Sequence, residues 1–223
     1  MPDRPNLQSY IREVVATGRE QAGPYLTISR QYGACGIRLA RALEMELSGG
    51  PDTWRVVGRE VLEEAAVKLQ SSPDTIDALR RKEPGLVDNL LQALNPTFIP
   101  SGLEVRHTIT AILRRLAHHG HVILVGQGSA PATQGILRGL HVRVVAPLDW
   151  RVEGLARRHE LDPAEARRRI LAAEHEREYL RGLYAKFQPE SVAFDLILDN
   201  STFELAELCQ MVLTAMRLKR LVR

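Results

Sequence analysis

Cysteine is scarce in this chain: two occur in 223 residues, Cys35 and Cys209. One falls in a small-residue turn and the other on an amphipathic stretch, so no disulfide framework is expected, and a reducing, cytoplasmic setting is. Long hydrophobic runs are missing as well. None approaches the about 18 residues needed to cross a bilayer, and the N-terminal segment is polar, so neither a membrane span nor a signal peptide is expected. Charge of one sign is lacking too, because 30 Lys and Arg oppose 27 Asp and Glu for a net charge of +3. That balance suits an anionic ligand but falls short of a dedicated nucleic-acid binder. Aromatics, at 5%, are too sparse to give the arginines a base-stacking platform. His118, His119 and His121 lie close together, yet a helix end and a strand start hold them in poor geometry for a metal, and no metal site is expected.

What the chain does contain suits one α/β domain. Hydrophobic residues make up 44% of it and charged residues 26%, enough apolar material for a sizeable core. Residues 1–24 read as a helical extension, in which Leu7, Ile11, Val14 and Val15 recur at helical spacing before Gly23-Pro24 ends the segment. It is expected to pack on the outside of the main domain, 25–223; a homodimer contact or a docked protein partner is the alternative. Thereafter short apolar strands alternate with helical patterns. Strands at Leu26–Ile28, Trp54–Val57, His121–Val125, His141–Ala146 and Phe194–Leu198 predict a doubly wound parallel five-stranded sheet. His121–Val125 lacks polar alternation after its first residue, so it is placed centrally, covered on both faces.

Helices are expected at Gly36 to Leu47, Arg59 to Leu69, Val105 to His118, Leu148 to His159, from Pro163 onward, and from Phe203 to about Leu221. Capping boxes are read at Asp162 with Glu165 and at Ser201 with Glu204. The basic tail 217–223 reads as a solvated end. Residues 71–102 are least informative: helical stretches through Leu79 and from Leu86 to Leu94, a loop at 95–102, and Arg80, Arg81, Lys82 and Arg106 as charges of a solvated face, with contact to a nucleotide as the alternative.

The stretch from Tyr25 to Glu44 organises the chain, because a buried strand runs through Gly33-Ala34-Cys35-Gly36 into a helix. Small residues let backbone N–H groups approach an anion, and the helix dipole adds positive potential there. A standard phosphate loop also carries a lysine for the terminal phosphates and a Ser or Thr for magnesium. Here the lysine position holds Gly36. An ordinary turn without a ligand therefore stays open, as does the choice between a reactive thiolate at Cys35 and an inert turn residue.

The run Ile28-Ser29-Arg30-Gln31-Tyr32-Gly33-Ala34-Cys35-Gly36 resembles the signature of the cytidylate kinase-like family, relatives of the P-loop nucleoside monophosphate kinases. Further matches follow in order at Gly58–Ala66, Val122–Gly128, Val142–Pro147 and Phe194–Leu198. The resemblance implies a P-loop kinase-like fold with a helical lid, here residues 151–187. It also implies ATP with its magnesium ion as cofactor, and transfer of the terminal phosphoryl group to a nucleoside monophosphate. The family, too, lacks the loop lysine. Carried onto this chain, the resemblance puts Gly33, Ala34, Cys35, Gly36 and Ile37 around the phosphates and makes Arg30, Arg38 and Arg177 the candidate catalytic cations. Arg59, Gln127, Arg151 and Arg158 are the candidate substrate contacts.

Arg177 is also legible from spacing. It shares one helical stripe with Ala166, Ile170, Ala173, Leu180 and Tyr184, so it points inward and needs a carboxylate or a phosphate. Three residues depart from the family pattern on the presumed working surface. Cys35 replaces a loop glycine, Gly58 an aspartate at the end of the second strand, and Gln127 an arginine. A neutral amide holds phosphate more weakly than a bidentate guanidinium. The alternative expectation is therefore a catalytically degenerate relative serving as a nucleotide sensor or as a structural or interaction partner. Nucleic acid is not an expected partner.

Overall fold

The structure, a computed structural model, describes residues 6–17, 22–48, 52–81, 101–187 and 193–223. Strands β1 (Tyr25–Arg30), β2 (Arg55–Val57), β3 (Val122–Val125), β4 (Gly139–Val145) and β5 (Leu196–Asp199) form one sheet in the order β2-β3-β1-β4-β5. Every pair is parallel, and Tyr25 stands opposite Val122 on one side and Gly139 on the other. The described helices are α1 (Leu7–Thr17), α2 (Gly36–Leu47), α3 (Glu60–Lys68), α4 (Pro73–Arg81), α5 (Gly102–His119), α6 (Ser129–Thr133), α7 (Leu148–His159), α8 (Pro163–Phe187) and α9 (Leu205–Leu218).

Successive strand residues point to opposite faces, and both faces are covered. Tyr25, Val122 and Leu124 enter a core built with Ile11 and Val14 of α1, Val61 and Leu62 of α3, and Ile109, Ile112 and Leu113 of α5. Leu26, Ile28, Ile123 and Val142 enter a second core with Leu39 and Leu43 of α2 and Leu208, Val212 and Met216 of α9. The Tyr25 hydroxyl lies 3.0 Å from the carbonyls of Thr133 and Ile136, tying β1 to the turn after α6. A Cβ on residue 139 would overlap the Tyr25 ring, so Gly139 is what lets that ring lie flat on β4. A third, smaller core joins α7 to α8 through Val152, Leu155, Ala166 and Ile170, and Tyr32 packs against it.

Several elements differ from expectation for identifiable reasons. Asp162 caps α8 by accepting from the Ala164 N–H at 2.8 Å, but Glu165 turns to Arg168 and Arg169 instead of closing a box. The last helix starts at Leu205, where Glu204 and Glu207 make the capping box, because Ser201 is held by Asp199. His121, at φ 51°, precedes β3 and is not in it. The tail is only in part a solvated end: residues 217–220 and Arg223 are exposed, but Leu221 is buried in the second core, and Lys219 pairs with Asp195 at 2.7 Å. Arg106 is not on a solvated face either, being 3% exposed within α5. The expected helix 86–94 and the side chains of Arg80, Arg81 and Lys82 lie outside the described residues.

One buried polar chain crosses the sheet. Thr27 Oγ1 lies 2.8 Å from His141 Nδ1, and the His141 N–H donates to Asp195 Oδ2 at 2.7 Å. Burial pushes His141 below its ordinary pKa, and the nearby Asp195 only partly opposes this.

Candidate functional site

The turn between β1 and α2 opens at the carboxyl edge of the sheet, beside its central strand. Ligands of open α/β sheets bind beyond that edge. Two left-handed residues shape the turn: Gly33 at φ 86° and Cys35 at φ 58°, the latter immediately before α2. The conformation turns the carbonyls of the loop toward side chains that converge from three directions. Arg177 donates to the Arg30 carbonyl at 3.1 Å, Arg151 to that of Tyr32 at 3.0 Å, and Asn200 to that of Ala34 at 3.0 Å. Arg158 approaches the Gly33 carbonyl at 3.4 Å. Among the described residues, the N–H groups of Gly33, Cys35, Gly36 and Ile37 meet no acceptor, whereas those of Ala34 and Arg38 bond within the turn. Four such amides at the start of a 12-residue helix make a candidate anion cradle.

The candidate cations are not equivalent. Arg30 runs from the end of β1 over Gly36, where a Cβ would meet its Cβ at 2.9 Å, and its guanidinium reaches Gly126 after β3. A Cβ at Gly126, itself at φ 69°, would collide with that guanidinium. Arg30 thus reaches from the start of α2 to the bend after β3. Arg38 is exposed in the first turn of α2 and has no partner among the described residues. Arg177 also lies over the Tyr32 ring, 5.3 Å from its centroid, so α8 reaches back to the loop as its spacing predicts. It meets a carbonyl and a ring there. Arg151 is 4% exposed; its Nε donates to the Ala146 carbonyl at 2.8 Å and its Nη1 to Glu174 at 2.8 Å as well as to Tyr32. It ties β4, α8 and the loop together from beneath.

The other two strand ends complete the edge. After β2, Gly58 donates its N–H to Glu60 Oε2 at 2.7 Å, while Arg59 is exposed and pairs with Asp74 at 3.4 Å. After β3, Gly126, Gln127 and Gly128 are all left-handed, at φ 69°, 57° and 76°, so Gln127 is half-buried in a tight bend. Three contributors escaped the sequence reading. Asn200 and Glu60 sit one and three residues beyond strand ends, in the segments where parallel sheets present side chains, and that signal would have found them. Nothing in the sequence marks Tyr32 as the surface on which Arg177 rests.

A family model described as the cytidylate kinase-like family matches residues 25–202. No curated protein matches the sequence. Among solved structures, an uncharacterized protein from Eubacterium ventriosum aligns with a TM-score of 0.61 at 11% identity, covering 87% of this chain and 98% of that one. It shares the fold. Shikimate kinase from Bacteroides thetaiotaomicron (TM-score 0.46, 12% identity, 87% and 98% covered) and a gluconokinase from Sinorhizobium meliloti (0.46, 14%, 90% and 96%) align more loosely, at a level on which no conclusion rests.

Proposed function

The chain belongs to the cytidylate kinase-like family, and on that premise we propose that it binds ATP against residues 33–37 and moves the terminal phosphoryl group to a nucleoside monophosphate. The observation that carries this reading is the set of acceptor-free amides at Gly33, Cys35, Gly36 and Ile37, with the stem of Arg30 against Gly36 and its guanidinium at Gly126. Phosphoryl transfer asks for positioning and for neutralisation of charge on the equatorial oxygens, and no covalent intermediate is needed. The acceptor oxygen bonds to phosphorus as the bond to the bridging oxygen breaks and its electron pair leaves on the diphosphate. Arg30 supplies the cation that a standard loop draws from lysine, and Arg38, exposed on α2, has the lesser part. The α7 and α8 pair acts as the lid. Its Arg158 and Arg177 exchange loop carbonyls for phosphate oxygens when nucleotide enters, while Arg151 stays in place as scaffold. Ile37 follows Gly36, so the loop offers no hydroxyl to magnesium; a magnesium ion bound with the nucleotide would supply further neutralisation of phosphate charge.

Calorimetric titration with ATP and magnesium tests the cradle, and a coupled assay across CMP, UMP, dCMP and AMP tests the transfer. Arg30→Ala is expected to weaken ATP binding by about tenfold or more, the worth of a charge-assisted contact, and Arg38→Ala by less. Wild-type protein that does not bind ATP ends the reading. The degenerate alternative has its own support: Cys35 strains the loop, and Arg59 is tied to Asp74. ATP binding with no turnover on any acceptor would decide for it.

A further inference from the structure

We propose that Glu60 is the acceptor-binding carboxylate of this site, standing in for the side chain that Gly58 lacks. The inference rests on the phosphoryl-transfer reading above and adds the group that recognises the acceptor. Gly58 sits directly after β2, at the carboxyl edge of the sheet. Its N–H donates to Glu60 Oε2 at 2.7 Å, and the same oxygen lies 3.6 Å from where a Cβ on residue 58 would be. The Glu60 side chain therefore folds back from the first turn of α3 into the volume that a longer residue at 58 would fill. The neighbouring wall of that volume is the end of β3, with the Val125 carbonyl 3.7 Å from the same Cβ position. The next residue, Gly126, carries the Arg30 guanidinium.

A carboxylate and a guanidinium thus flank the end of β3, one from the side of β2 and one from the side of β1. The arrangement is polarised. Phosphates gather at the cation and the open amides, and a carboxylate on the far side repels phosphate but accepts hydrogen bonds from hydroxyl or amino groups. Glu60 Oε1 makes no hydrogen bond with the described residues, so one oxygen anchors the side chain and the other is open to a ligand. The ligand class is an acceptor that presents a hydroxyl or an amino group to β2.

An acidic residue in a first helical turn also interacts favourably with the helix dipole, so the test must separate recognition from stability. CMP is titrated alone into wild type, Glu60→Ala and the double variant Gly58→Asp with Glu60→Ala, and ATP with magnesium is titrated separately. Gly58 has ordinary backbone angles and only van der Waals neighbours around its Cβ position, so aspartate fits there once Glu60 is trimmed. Loss of one hydrogen bond to a charged group predicts CMP binding weakened about tenfold in Glu60→Ala and recovered in the double variant, with ATP binding unchanged in both. Titrating dCMP and UMP distinguishes the donor. A ribose hydroxyl is identified if dCMP affinity ignores Glu60→Ala, and a base amino group if UMP affinity does. The proposal is overturned if CMP binds Glu60→Ala as it binds wild type, if the double variant keeps its melting temperature without regaining CMP, or if wild type binds none of the three. Failure of ATP binding alone would instead overturn the reading of the loop.

Discussion

Cys35 shows what a single side chain costs this loop. At φ 58° and ψ 22° it holds a left-handed conformation that is free for glycine and costs other residues about 1–2 kcal/mol. Cys35→Gly is expected to stay within about 1 kcal/mol of wild type, since relieved strain is offset by greater freedom of the unfolded chain. Cys35→Val places a β-branch at positive φ and is expected to cost about 1–3 kcal/mol more than the glycine variant. Urea midpoints of the two variants check this, and equal midpoints would contradict it. At this scale the sequence discloses direction but not destination. Helical spacing turns Arg177 inward, yet its partners, the Arg30 carbonyl and the Tyr32 ring, are on a loop 147 positions away in the chain. Arg151 is legible as a basic residue of the same region. That it is buried follows from Ala146, Tyr32 and Glu174 closing around it, and no local pattern contains that.

The α7 and α8 pair is fastened to the loop through a small number of polar contacts above its own apolar seam. Removing the Glu174 carboxylate leaves the Arg151 guanidinium, at 4% exposure, without its charge partner. Glu174→Ala is therefore expected to destabilise the chain by about 2–3 kcal/mol, read by thermal unfolding. Glu174→Asp, which keeps the charge on a shorter side chain, should recover part of that loss. An unchanged melting temperature in the alanine variant would show that α8 is not held this way. Helices long enough to show periodicity were legible in the sequence, as α2, α7 and α8 illustrate. Their ends were less so. Ser201 has the right residue type and spacing for a cap, but Asp199 accepts from both its N–H and its hydroxyl, and the start of α9 moves to Glu204. The five-residue α6 has too few positions to display a period and contains Pro131.

For the molecule as a whole, acid stability should fall in two stages. His141 is held below its ordinary value near 6.5 by burial, so between its folded and unfolded values the unfolded chain binds more protons. Its contribution is complete above about 6.5 and is lost as the pH falls through that interval. Asp195 belongs to the second stage: burial works against its charge, but hydrogen bonds from Lys219 and the His141 N–H hold it below its ordinary 3.8. That contribution is present above 3.8 and is lost as the pH drops through the folded value. Urea midpoints between about pH 8 and about pH 4 are expected to decline in wild type and to decline less in His141→Gln. Identical slopes would contradict the assignment. Parallel strands and their number could be read from alternation along the chain; their order could not, because Tyr25 pairs with Val122 and Gly139, both remote from it. That placement bears on how the protein is made. β1 leaves the ribosome before β3 and β4, and both edges of its backbone wait unpaired until Val122 and then Gly139 have been synthesised. Nascent chains halted before β3 emerges should therefore be the ones that chaperones capture and that aggregate when chaperones are withheld.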